Sequence, residues 1–179
     1  MKPSSSTVRV IEWDELPPSV RQIPEGYNPI ANGLLMAHQV DWLNIRAQIK
    51  LCEKGRRTGI TFAEALDSVI TAASQKAAGG MDCFYIGDTK EKGLEFIGYC
   101  AKFSRVMAEA QASGVSEIEE FLFEDQDESG NTRQINAYRI RYASGFKIVA
   151  LSSNPASVRG LQGKVIIDEA AFHRDVSAV

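Results

Sequence analysis

The sequence predicts an α/β fold with a largely parallel sheet flanked by helices. Segments of strand and helix character alternate through the middle of the chain, the order expected of strands joined by crossover helices. The two segments richest in chemistry each follow a predicted strand, and ligands of open α/β sheets bind beyond the carboxyl ends of the strands. With 179 residues, 44% of them hydrophobic and 24% charged, the chain is long enough for one domain with a real core.

Residues 1–30 read as an irregular N-terminal leader. Pro17, Pro18, Pro24 and Pro29 fall within it, and each disfavours helix at the preceding residue. A short strand is expected at 8–13. Residues 34–47 fit a helix, with Leu35, Gln39, Trp42, Leu43 and Arg46 at helical spacing after the start signal Asn32-Gly33. Residues 49–53 alternate and precede a glycine-containing turn, so a strand is expected there. Residues 60–77 form an amphipathic helix with Phe62, Ala65, Leu66, Val69, Ile70 and Ala73 on its apolar stripe, closed by Gly79-Gly80.

A short apolar strand follows at 82–87, then a helix over 93–111 with Thr89 as its N-cap. Segments 119–125, 134–143 and 146–151 read as strands. The last two are joined through Ser144-Gly145 as a hairpin. An apolar strand at 164–167 ends in Asp168-Glu169.

No apolar run approaches the ~18 residues a membrane span needs. The polar residues 1–7 have no apolar segment behind them, so no signal peptide is expected. Three cysteines without a Cys-x-x-Cys pair, and only two histidines, argue against a zinc site or a disulfide scaffold and for a reducing cytoplasm. The net charge of −3 argues against wrapping nucleic acid by bulk electrostatics. Any such contact is expected to be local, or supplied by another part of the protein.

The segment Lys54-Gly55-Arg56-Arg57-Thr58-Gly59-Ile60-Thr61 lies between a predicted strand and a helix. There, successive backbone N–H groups can turn inward around an anion, and the helix N-terminus adds positive potential. Gly59 lets backbone approach phosphate without a Cβ, and Thr61 is placed to offer its hydroxyl to Mg2+. The common pattern, Gly-x4-Gly-Lys-Ser/Thr, is not met, because Lys54 stands at the first glycine and Ile60 at the lysine. A cation is still required where charge builds on the β/γ-phosphates, and Lys54, Arg56 and Arg57 are the candidates. The same residues also fit a plain connector with solvated basic side chains. Asp168 is expected to hold Mg2+, and Glu169 to polarise the attacking water as a general base. The alternative is an acidic pair at the start of a following helix.

From about residue 34 onward these motifs resemble phage large terminase subunits, nearest the Mu-like prophage group. Lys54 matches a lysine displaced to the start of a variant Walker A loop, which makes Ile60 an expected residue. The stretch Ser152–Gly160 and Val165-Ile166-Ile167-Asp168-Glu169-Ala170-Ala171-Phe172-His173 is similar to the family's Walker B region, and His38-Gln39-Val40-Asp41-Trp42 to the segment in which a glutamine reads adenine. The resemblance implies a P-loop NTPase of the ASCE type over 31–179, binding ATP and Mg2+ to power packaging of double-stranded DNA into a procapsid. It implies Gln39 as an adenine contact and Arg159 as an arginine finger from the same or a neighbouring subunit; Arg159 also fits a packing role. A portal protein, a small terminase subunit and a homo-oligomeric ring are the partners it implies, in the bacterial cytoplasm. The family continues into a lid and a nuclease domain, so the chain is expected to stop after Walker B, with no nuclease activity in this segment. Another P-loop translocase or helicase, or an inactive binding module, remain the alternatives.

Overall fold

The apolar run Cys83–Gly87 is buried at every residue, as a strand flanked on both sides must be. In the computed structural model, which describes residues 8–21, 33, 35–55, 57–111, 119–126, 132–152 and 161–172, this run is β2, after a two-residue β1 at Arg9–Val10. The other strands are β3 (Glu119–Gln126), β4 (Thr132–Arg141), β5 (Lys147–Ser152) and β6 (Lys164–Ile167). The α-helices are α1 (Pro18–Arg21), α2 (Ala37–Asn44), α3 (Ile60–Ala73) and α4 (Lys90–Gln111). Among the described residues the strands form one six-stranded sheet in the order β1-β3-β4-β5-β2-β6.

The α/β class is as predicted. β2 pairs in parallel with β5 and β6, and this parallel part carries the candidate site. β5, β4, β3 and β1 continue the sheet antiparallel. The β4–β5 hairpin turns through Ser144-Gly145, with Gly145 at φ 89°, a left-handed conformation that glycine adopts without strain.

Successive strand residues face opposite ways, and the core divides accordingly. Cys83, Tyr85, Tyr138, Ile140, Ile148 and Ala150 pack with Ala65, Val69, Phe96, Ile97 and Cys100 of α3 and α4. Phe84, Ala137, Val149 and Leu151 form a smaller cluster on the other face, with Leu161 against it. α4 begins three residues before its predicted start, because the Thr89 hydroxyl accepts the Lys92 backbone N–H (3.3 Å) and caps that first turn.

Two segments differ from expectation. The described part of the leader is tied to the body: β1 pairs with β3, Leu16 and Val20 are buried in the main core, and Ser19 donates to Glu95 on α4 (2.8 Å). Prolines interrupt regular structure there but leave apolar side chains available for burial. Residues 49–53, predicted as a strand, form none. A strand needs a ladder partner, and β6 pairs only with β2 among the described residues. Ile49 and Leu51 are 81% and 92% exposed, while Lys50 between them turns inward.

Lys50 turns toward a buried ionic cluster. Glu64 on α3 accepts from Trp42 Nε1 (2.6 Å) and Lys50 Nζ (3.2 Å) and pairs with Lys164 of β6 (2.5 Å), which also reaches Asp67 (2.6 Å). Lys50 lies over the Trp42 ring, 4.6 Å from its centroid. The cluster joins α2, α3 and β6. Burial pushes the Glu64 carboxyl up, but Lys164, Lys50 and the Trp42 N–H outweigh it and hold the group below its ordinary value of 4.5. Glu64 therefore contributes stability above about pH 4.5 that is lost as pH falls through the depressed value. Lys164→Met leaves two carboxylates without their shared cation and is expected to cost about 3–5 kcal/mol at neutral pH. Urea unfolding of the two proteins measures this; a cost under about 1 kcal/mol, the range of exposed pairs, would show the cluster to be effectively solvated.

Candidate functional site

The Lys54–Thr61 segment meets the end of β6 at one carboxylate. Asp168 follows β6 directly, and its N–H donates to the Ile86 carbonyl of β2 (3.1 Å), which carries the inter-strand hydrogen bonding one residue past the strand. Its side chain is 8% exposed. Thr61 Oγ1, in the first turn of α3, donates to Asp168 Oδ2 (2.7 Å). Lys54 Nζ lies 3.1 Å from Oδ1, and the Tyr85 hydroxyl donates to Oδ2 from β2 (3.0 Å). Burial alone would raise the Asp168 carboxyl. The hydrogen bonds from Thr61 and Lys54, the Lys54 charge and the Tyr85 hydroxyl outweigh it, so the group stays below its ordinary value of 3.8. The Tyr85 hydroxyl is pushed up by burial and by the Asp168 charge, and remains a donor at physiological pH.

The loop is shaped by two residues with positive φ, Arg57 at 60° and Gly59 at 74°. Gly59 is the N-cap of α3 and Ile60, its first residue, is buried. Thr58 Oγ1 donates to the Gly55 carbonyl (3.4 Å), closing the loop on itself. The first N–H groups of α3 have no carbonyl within the helix to bond, which leaves donors at the loop mouth.

Lys54, Thr61 and Asp168, three of the residues singled out in the sequence, are thus brought together, with Gly59 at the head of α3 between the first two in the chain. Gln39 is close by but differently employed. It is 4% exposed, its Nε2 donates to the Gly59 carbonyl (2.8 Å), and its Oε1 accepts the Met36 N–H (2.8 Å). Its neighbour His38 bonds the Thr58 carbonyl through Nε2 (2.8 Å).

Glu169 parts company with Asp168. At φ 52° the chain turns into a 3-10 turn at Ala170–Phe172, and the Glu169 carboxylate lies 3.7 Å from Lys92 Nζ on the first turn of α4. Arg56, Arg159 and the Asn154-Pro155 segment lie outside the described residues. Tyr85 and Lys92 were not singled out in the sequence. A tyrosine within an apolar strand is the one signal for the first; Lys92 carries none, being one of several lysines on a helix start.

Thr61 and Asp168 supply two oxygen donors within 2.7 Å of each other, a pair suited to a hard cation such as Mg2+. Among the described residues no three His, Cys, Asp or Glu side chains gather into a protein-built metal cage. A cation held here would take its remaining ligands from water or a bound phosphate, the usual habit of Mg2+.

The position of Gly59 yields a test. A Cβ there would stand 2.3 Å from Gln39 Nε2, on a backbone that favours glycine. Gly59→Ala is expected to cost about 1–3 kcal/mol and to break the Gln39 contact, read in urea unfolding. An unchanged midpoint would show that the loop adopts another conformation.

Two curated proteins are similar to the chain. The "Mu-like prophage FluMu protein gp28" of Haemophilus influenzae is 47% identical over 148 residues, 83% of this chain and 27% of that protein. The "Probable terminase, large subunit gp28" of Escherichia phage Mu is 45% identical over 141 residues, 78% of this chain and 24% of that protein. The chain therefore spans about a quarter of the length of the curated relatives it matches. No protein-family model matches it, and no solved structure does.

Proposed function

This chain belongs to the Mu-like terminase large-subunit family, and from that premise we propose that its Lys54–Thr61 loop and Asp168 form the ATP site of a motor that packages double-stranded DNA. The observation that carries the reading is the convergence of Lys54 and Thr61 on Asp168, at 3.1 and 2.7 Å. A loop lysine, the first-turn hydroxyl of the following helix and a strand-end carboxylate are the set that phosphoryl-transfer sites use.

Charge balance supports this. Lys54 neutralises Asp168; a Mg2+ held by Asp168 and Thr61 would meet that charge instead and leave Lys54 available to the β/γ-phosphates. Mg2+ supplies neutralisation of the developing phosphoryl charge. The first-turn N–H groups of α3 face the anion and add the positive end of the helix dipole. Glu169 serves as the base that polarises water, once drawn from Lys92. Arg159 is the proposed arginine finger.

The relative named as a probable terminase supports packaging over the helicase reading. The portal protein, the small subunit and a homo-oligomeric ring are the partners that follow, in the bacterial cytoplasm. No helix among the described residues is long and apolar enough to cross a membrane.

Lys54→Ala is expected to weaken ATP binding by roughly a hundredfold, the loss of a charge-assisted contact, and Arg56→Ala by only a few-fold. Equal losses in a calorimetric titration would remove Lys54 from its assigned place. In the full-length protein, Glu169→Gln is expected to retain ATP and lower turnover by about 10²–10⁴-fold; turnover at the unsubstituted rate would exclude Glu169 as the base.

A further inference from the structure

We infer that His38 and Gln39 form a clamp on the phosphate loop, holding its backbone N–H groups toward the anion, and that Gln39 acts through this contact and not by reading the base. The inference rests on the ATP-site reading above. It starts from two consecutive side chains of α2 that bond two consecutive carbonyls of the loop. His38 Nε2 is 2.8 Å from the Thr58 oxygen, and Gln39 Nε2 is 2.8 Å from the Gly59 oxygen. A carbonyl only accepts, so the His38 ring carries its proton on Nε2.

A trans peptide is planar, with its C=O and the next N–H pointing in opposite directions. Fixing the Thr58 carbonyl toward α2 fixes the Gly59 N–H away from it. Fixing the Gly59 carbonyl does the same for the Ile60 N–H. The clamp therefore orients two successive donors on the side of the loop opposite α2, in the manner of an anion-binding nest. The Gly59 oxygen also accepts the Ala63 N–H (3.1 Å), so both its lone pairs are engaged and its peptide plane is held from two sides.

The clamp is itself anchored. Trp42, one turn further along the same face of α2, donates to the buried Glu64 of α3 (2.6 Å). Positions 38, 39 and 42 share one helical face, and all three point at the segment from the loop to the first turns of α3. Segment 49–53 lends the loop no strand pairing, so α2 takes the place of a ladder in fixing its conformation. Both polar ends of the Gln39 amide are occupied within the protein, by Gly59 and by the Met36 N–H, and the residue is buried. One N–H and one lone pair of the amide remain unspent, but at 4% exposure the side chain offers a base almost no surface to reach.

Glu at position 39 separates the alternatives. It keeps the acceptor for the Met36 N–H, near a helix N-terminus that favours an acid, and replaces the donor to Gly59 by a carboxylate oxygen that faces the same carbonyl. The chain, Q39E, H38L and H38Q are titrated with inorganic pyrophosphate, ATP and GTP in the presence of Mg2+, and unfolded in urea. A clamp predicts that Q39E and H38L weaken pyrophosphate, ATP and GTP by one common factor, about fivefold to tenfold for a lost hydrogen bond. It also predicts that H38Q, whose amide reaches a similar distance, restores binding, and that the H38L urea midpoint stays in place while that of Q39E falls with its buried charge. A changed ATP-to-GTP ratio in Q39E with pyrophosphate unaffected would overturn the clamp in favour of base reading. A binding loss in H38L that follows a fall in its urea midpoint would reduce the contact to a general structural role. If Lys54→Ala weakens binding but Q39E and H38L do not, the clamp fails and the ATP site stands. If the unsubstituted chain binds neither pyrophosphate nor nucleotide, the site reading fails and the clamp with it.

Discussion

Lys54, Thr61 and Tyr85 direct their polar atoms at the single carboxylate of Asp168, and the geometry of the site depends on that convergence. The three come from the loop, from α3 and from β2, while Asp168 ends β6. One side chain thereby fixes the loop and its helix against the parallel end of the sheet. A carboxylate taken so far out of water is stable only with its lone pairs occupied, and three donors meet that need. Buried ion pairs are weak evidence for stability, because desolvation offsets their attraction. The value of this one lies in position: it holds a lysine, a hydroxyl and an acid together, the set on which the proposed ATP site rests.

The ionic cluster around Glu64 is the counterpart of that convergence one turn further along α3, on the face that also carries Thr61. Glu64 and Asp67 share Lys164, and Lys164 opens β6, the strand that closes with Asp168. The helix behind the loop is therefore tied to both ends of one short strand. Loop and acid are thereby fixed against both α3 and β6, the kind of positioning that the proposed chemistry calls for.

Much of this arrangement was legible in the sequence. The loop and the acidic pair were found because each is a local pattern at a strand or helix end, and local patterns survive without tertiary information. Residues 49–53 show the limit of the same reasoning. Their alternation is real, but a strand exists only with a ladder partner, and the inward pull of Glu64 on Lys50 produces the same alternation by other means. The leader misled differently, since its prolines speak of backbone regularity and say nothing of where Leu16 and Val20 are buried. Gln39 was identified as a residue of the site, but the direction of its amide depends on a carbonyl twenty positions away, which spacing does not encode. Tyr85 was hidden within an apolar strand, where a phenol counts toward the core until its hydroxyl finds Asp168.

Adjacent acids with opposite surroundings complete the division of labour. Asp168 is enclosed and bonded on both oxygens, whereas the Glu169 side chain is 31% exposed and faces Lys92. Strand alternation alone would send them to opposite faces of the sheet; the left-handed turn at Glu169 redirects the second acid toward the start of α4 instead. A non-glycine residue is held in that conformation at a cost of about 1 kcal/mol or more, which the surroundings must offset. The Phe172 N–H bonds the Glu169 carbonyl (2.8 Å), and Lys92 meets its carboxylate. The left-handed backbone thus sits at the partly exposed acid proposed as the base, and the enclosed side chain at the acid on which Lys54, Thr61 and Tyr85 converge.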